Sequence, residues 1–213
     1  MDGKQLPVIY LARHGETEWT VAGRHTGRTD LPLTAHGEVE AQLLGEQLKG
    51  LTFASVLTSP LRRAVQTCKV AGFGVAAQIE PDLVEWDYGD YEGRTSADIH
   101  AERPGWQLFR DGCPGGESPG GVAHRADRVI QRIRGVGENA LLFSSGHFLR
   151  MFAGRWLGLE PAAGRFFLLG TASLSAVGYE HDLSEPAIRL WDEDPHVLRR
   201  LPNAAPQRLQ EAF

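Results

Sequence analysis

The stretch Leu6-Pro7-Val8-Ile9-Tyr10-Leu11-Ala12-Arg13-His14-Gly15-Glu16-Thr17-Glu18-Trp19 decides how this chain is read. Residues 6–12 have the apolar, β-branched composition of a buried strand in an α/β protein, and the run stops abruptly at an Arg-His-Gly triplet. That ending puts His14 at the carboxyl end of the strand, where ligands enter open α/β sheets. Gly15 lets backbone amides come close to an anion. Arg13 carries a planar, permanently charged fork suited to phosphate oxygens, and a neutral His14 is a nucleophile for phosphorus. A strand end with a chance basic pair would carry the same letters, so the rest of the chain has to decide.

Downstream, Thr34 is placed to N-cap a helix through Leu43, Leu44 and Leu48 that Gly50 stops, and residues 53–58 return to a strand. Pro60 opens a second helix through Cys68 and Val70, and residues 75–79 read as another short strand. This strand-helix alternation predicts a three-layer α/β/α sandwich with a mostly parallel central sheet. Residues 81–121 turn irregular and rich in Gly, Pro, Trp and Tyr, which points to a functional lid. A helix from Ser118 to about Arg134, the apolar run 140–143, a helix over 148–157, strands over 166–169 and 173–179, and an edge strand over 186–191 complete the pattern. One domain over residues 1–213 is expected, with a tail from residue 193 that is either partly disordered or packed on a neighbouring subunit.

Composition removes several classes of function. The 213 residues are 42% hydrophobic and 23% charged, ordinary values for a folded protein, and no apolar run reaches membrane-spanning length. No secretory signal opens the chain, so a cytoplasmic protein is expected. Cys68 and Cys113 have no metal-ligand spacing and read as free thiols. A formal net charge of −5 argues against nonspecific nucleic-acid binding, so an anionic substrate would rely on a local arginine cluster. Neither a Walker-type loop nor a dinucleotide fingerprint is present, and no cofactor or metal is expected. The expected partner is a small phosphorylated substrate, and a homodimer is compatible with the sequence.

Phosphoryl transfer to histidine also needs positive charge around the transferring group and an acid for the leaving oxygen. Thr58-Ser59-Pro60-Leu61-Arg62-Arg63-Ala64 sits at a strand end and a helix start, where amides and an arginine can hold an anion together. Adjacent residues on a helix point in different directions, so Arg62 reads as a solvated arginine and Arg63 as the one for the site. In Glu85-Trp86-Asp87-Tyr88-Gly89-Asp90-Tyr91-Glu92-Gly93, a carboxyl sheltered by aromatics could keep a proton to donate, which makes Glu85 the candidate acid.

With these three clusters in order, the chain resembles the histidine phosphatase superfamily over about residues 8–177. Arg13-His14-Gly15-Glu16-Thr17, Ser59-Pro60-Leu61-Arg62-Arg63-Ala64, and Glu85 with Tyr88-Gly89 and Glu92-Gly93 carry the match. The resemblance implies that His14 is transiently phosphorylated, that Arg13 and Arg63 hold the phosphate, and that Glu85 donates the proton. It also places Thr20, Thr26, Gly27 and Tyr88 at the substrate. The acid cluster looks closer to the sugar-phosphate and acid phosphatases than to the phosphoglycerate mutases, which usually carry asparagine at Thr20 and have longer chains.

One position departs from the family pattern. Where the family has a second histidine before a glycine, this chain reads Phe143-Ser144-Ser145-Gly146-His147-Phe148-Leu149-Arg150, with Ser145 in the histidine's place. His147 matches the second histidine of a His-Gly-His variant. Either the substitution was introduced to slow turnover, or it marks a weakened or phosphate-binding member, or His147 reaches the phosphate by a local shift. Ser145, Gly146 and His147 therefore join the expected substrate-binding residues, and position 145 is expected to hold phosphate less firmly than a histidine there would. His25, His36, His100, His124, His181 and His196 read as surface or structural, His25 being the nearest to the expected site.

Overall fold

The computed structural model describes residues 5–194, so all but the first two residues of the expected tail lie outside it. In chain order the strands are β1 (Ile9–Arg13), β2 (Ser55–Thr58), β3 (Ala77–Ile79), β4 (Ala140–Ser144), β5 (Leu174–Tyr179) and β6 (Pro186–Glu193). The helices are α1 (Glu18–Val21), α2 (Ala35–Gln47), α3 (Arg62–Val70), α4 (Ser96–Glu102), α5 (Leu108–Asp111), α6 (Pro119–Val136) and α7 (Gly146–Trp156). The six strands form one sheet in the order β3-β2-β4-β1-β5-β6. β3, β2, β4 and β1 are parallel to one another, whereas β5 and β6 are antiparallel additions beyond β1.

Strand periodicity divides the core. Ile9 and Leu11 of β1 and Leu142 of β4 pack on one face with Val122, Val129 and Ile133 of α6 and Phe148 and Phe152 of α7. Tyr10, Ala12, Leu141 and Phe143 point to the other face, toward Leu44 of α2 and Cys68 of α3. A central strand covered on both faces must be apolar at every position, and all five residues of β4 are buried. The expected three-layer α/β/α arrangement is thus present. Among the described residues no helix is long and apolar enough to cross a membrane.

Local chemistry sets the helix starts. Thr34 caps α2 by accepting the Gly37 N–H, and Ser118 caps α6 by accepting the Gly121 N–H with Pro119 behind it. α3 begins at Arg62, later than the expected Pro60, because Leu61 is extended and the Asp30 carboxylate takes the Arg62 N–H. α7 begins at Gly146, two residues before the expected Phe148, with a carboxylate cap from a distant segment described below.

Two expectations need correction. No strand forms over 166–169: a 3₁₀ turn (Pro161–Phe166) runs into extended chain whose carbonyls are taken by side chains, not by a ladder. Leu168 O accepts the Trp191 indole N–H and Leu169 O accepts from Arg13, while Phe166 and Leu168 stay 69% and 67% exposed. Residues 81–121, expected as a lid, instead contain α4, α5 and two 3₁₀ turns. Trp86, Tyr88, Tyr91, Ile99, Trp106 and Phe109 from this stretch are buried in the core shared with α6 and α7. Large aromatics bury too much area to remain on a mobile surface loop.

Candidate active site

The carboxyl ends of β2, β4 and β1 lie side by side. His14 N donates to Ser144 O at 2.9 Å, and Ser59 N donates to Phe143 O at 2.9 Å, so the turns after all three strands share one ledge. Gly15 is needed there because a Cβ would fall 2.5 Å from Gly37 O at the start of α2.

His14 is buried, and its two ring nitrogens have different partners. Nδ1 lies 2.8 Å from Gly15 O, and Nε2 lies 3.2 Å from Arg63 Nε. A carbonyl only accepts and a guanidinium only donates, so Nδ1 carries the proton and Nε2 the lone pair. Burial, followed by the charges of Arg63 and then Arg13, holds the imidazole well below its usual pKa, which keeps the ring neutral. Arg63 is itself held by Thr26 O, Gly27 O and Thr29 O at 2.8, 3.0 and 3.1 Å. Those carbonyls are fixed by Glu92, whose carboxylate accepts from Gly27 N and Thr29 N. Arg62 is exposed, as expected.

Glu85 is 5% exposed, and its carboxylate accepts three backbone N–H groups. Oε1 takes those of Trp86 and Phe148 at 2.8 Å each, and Oε2 takes that of His147 at 2.9 Å. It is thus the N-terminal cap of α7, a role that Ser145, the residue in the N-cap position, leaves vacant with its side chain. Ser145 is 0% exposed, and its Oγ has no hydrogen-bond partner. Arg13 Nε is the other unpartnered buried donor beside it, and a Cβ on Gly146 would lie 3.2 Å from that nitrogen.

A cavity of about 160 Å³ opens at this ledge, lined by Arg13, His14, Thr20, Thr26, Glu85, Tyr88, Gly146 and His147 among the expected residues. Three others do not line it: Arg63 donates to His14, Gly27 O accepts from Arg63, and Ser145 precedes the lining Gly146 in the chain. Thr20 lines the cavity, but its only hydroxyl proton goes to Thr17 O. Arg24, His25, Arg150 and Leu169 also line the cavity and were not among the expected residues. Isolated arginines carry no local signal. His25, expected to be structural or at the surface, lies against Tyr88 with ring centroids 4.8 Å apart, and burial lowers its pKa to about 4. A larger cavity of about 350 Å³ lies near Phe53 and Asn139, at the opposite end of the strands, and holds none of these groups.

Arg125 of α6 braces the carboxylate loop from below. It forms a two-pronged pair with Glu117 at 2.8 and 2.9 Å and donates to Asp82 O, Val84 O and Glu85 O. Neither residue carried a sequence signal, because the pair forms only when α6 packs under the loop.

A family model described as the histidine phosphatase superfamily (branch 1) matches residues 9–194. A Mycobacterium tuberculosis protein named "Acid phosphatase" is 40% identical over 184 residues, which are 84% of this chain and 90% of the relative. A Saccharomyces cerevisiae protein named "Sedoheptulose 1,7-bisphosphatase" is 36% identical over 186 residues, 72% of this chain and 68% of the relative. Further bacterial relatives, 32 to 36% identical, carry phosphoglycerate mutase names. The solved structure of a Mycobacterium tuberculosis open reading frame superposes with a TM-score of 0.85 at 37% identity, covering 90% of this chain and all of the other.

Proposed function

The chain belongs to branch 1 of the histidine phosphatase superfamily, and from that premise we propose that it is a metal-independent phosphatase of small phosphomonoesters, sugar phosphates among them, acting through a phosphohistidine at His14. The observation that carries the reading is the neutral His14 ring, with its Nε2 lone pair beside two arginines at a cavity. Arg13, with an unpartnered Nε–H, binds the substrate phosphate. His14 Nε2 then gives up the Arg63 N–H and attacks phosphorus, the P–O ester bond breaks, and the leaving oxygen takes a proton from Glu85, whose resting carboxylate picks it up from the monoanionic phosphate on binding. Oε2 of Glu85 accepts one N–H where Oε1 accepts two, so Oε2 is the oxygen with room for that proton. In the second step Glu85 takes a proton from water, the water oxygen attacks phosphorus, the P–N bond breaks with its electron pair returning to His14 Nε2, and phosphate leaves with the Glu85 proton. A mutase would instead return the phosphoryl group to another hydroxyl.

Ser145 weakens this machinery. Its hydroxyl could supply at most one neutral hydrogen bond where the family's histidine could supply a charged one, and it neither lines the cavity nor has a partner. Removing a charged donor of this kind typically costs on the order of 10² to 10⁴ in rate. The unpartnered Nε–H of Arg13, on a residue that lines the cavity, together with Ser145 in the histidine's place, also favours a second reading, an anion-binding member with little turnover. Rapid quenching with a labelled aryl phosphate separates the readings: the hydrolase forms an acid-labile, base-stable phosphoryl group on the peptide containing His14, and a binding protein forms none.

A further inference from the structure

His147 offers its backbone N–H to Glu85, and its side chain is held by a second residue. The Tyr88 hydroxyl lies 2.6 Å from His147 Nδ1. Tyr88 is 2% exposed, and a buried phenol must place its single proton on an acceptor or lose the bond outright. Burial, with the Glu85 charge as the next cause, keeps Tyr88 in its phenol form, well above the usual range for ionisation. The phenol therefore donates, and His147 Nδ1 is the acceptor. The ring cannot also hold a proton there. Burial, then Arg150, His25 and Arg13, keep it from becoming a cation.

We propose that Tyr88 fixes His147 as the neutral tautomer with its proton on Nε2, and that this N–H is a donor to a neutral oxygen on the leaving group, selecting phosphomonoesters of small polyols over those of plain alcohols. His147 lines the same cavity as His14, and its backbone N–H sits on Glu85, the acid proposed for the leaving oxygen, so the donor is assigned to the leaving-group side. Around the ring itself, Phe109 lies 5.6 Å and His25 5.8 Å from the His147 centroid, and the rest of the cavity lining includes Thr20, Thr26, Arg24 and Arg150. A substrate that displaces water from this N–H without offering an acceptor loses that hydrogen bond, which is how a hydrogen-bonding site rejects a deoxygenated analogue. Tyr88 is a positioning residue, acting only through the imidazole. This inference rests on the phosphomonoester reading for its substrate, although the tautomer itself does not.

The test has two arms. Long-range proton–nitrogen spectra of the full chain at pH 7, with His147 assigned by the disappearance of its signal in His147→Gln, should show a neutral ring protonated at Nε2. Tyr88→Phe should convert that signal to a tautomer mixture. Glycerol 3-phosphate should bind roughly tenfold more tightly than n-propyl phosphate. His147→Ala should abolish that preference, and His147→Gln, whose amide places an N–H near the Nε2 position, should keep it. A ring protonated at Nδ1, a cationic ring, or a preference unchanged in His147→Ala would overturn the proposal. If His147→Ala does not fold, the spectra of the parent chain and of Tyr88→Phe decide alone. Failure of the parent chain to release phosphate would count against the hydrolase reading and leave the ring spectra unaffected.

Discussion

Replacing Glu85 by Gln changes one oxygen into an amide nitrogen and separates the two roles given to this side chain. The amide oxygen can still accept two of the three N–H groups, those of Trp86 and Phe148, if it takes the Oε1 position. The new NH2 then faces the His147 N–H, donor against donor, at a site only 5% exposed. Hydrogen bonds to a charged group contribute about 1.5–3 kcal/mol, and an anion at a helix N-terminus adds about 0.3–1 kcal/mol. Since Ser145 offers no side-chain cap, nothing else at α7 compensates. The expected loss is about 2–4 kcal/mol, equivalent to about 5–15 °C in Tm for a chain of this size. Activity should fall on the order of 10² to 10⁴ through loss of the proton carrier. Thermal unfolding by circular dichroism and phosphate release from an aryl phosphate, run on the same preparations well below the variant's Tm, read the two effects separately. A Tm within about 1 °C of the parent would refute the capping argument, and unchanged turnover would remove Glu85 from the chemistry.

Other perturbations follow from the same geometry. Acidification from pH 7.5 to 5 should leave the turnover of folded molecules without a limb at pH 6.5, because His14 is held neutral well below that value; a clear inflection there in kcat/KM would refute it. The same depressed values for His14, His25 and His147 mean that the unfolded chain binds protons first. Their contribution to stability is therefore complete above pH 6.5 and declines as pH falls toward about 4, the value for His25. The slope is up to about 1.4 kcal/mol per pH unit for each histidine, and urea midpoints across that range measure it. Arg125→Met should cost about 3 kcal/mol in urea unfolding by stranding Glu117 and three carbonyls; a loss under 1 kcal/mol would mean that the brace is not needed. Gly37→Ala should lower Tm by several degrees, because its Cβ would fall 2.2 Å from Glu16 O; an unchanged Tm would show that α2 can move away freely.

What could be read in the sequence was local. The Thr34 cap, the helix start near Ser118, the apolar β1 and β4, and the adjacency of a strand end to Arg13-His14-Gly15 each depend on neighbours within a few residues. Glu85 is legible as a candidate residue, but its hold on α7, 62 and 63 positions away, is not, since capping by a remote carboxylate leaves no sequence pattern. The start of α7 was misplaced for the same reason. The 166–169 segment has the apolar residues of a strand, yet Trp191 and Arg13 claim its carbonyls from elsewhere in the chain. Residues 81–121 have the glycine and proline content of a loop, and only their packing on α6 and α7 reveals them as core. Arg24 and Arg150 entered the cavity wall without any motif to announce them.

The central claim is that His14 carries the phosphoryl group in a site held back at residue 145. Phosphate release from an aryl phosphate, across acidic to neutral pH and without added metal, compares the parent chain with Ser145→His and His14→Ala. The expected result is slow release by the parent, a gain on the order of 10² or more in Ser145→His, and none in His14→Ala. Release that persists in His14→Ala, or a Ser145→His variant no faster than the parent, would contradict it.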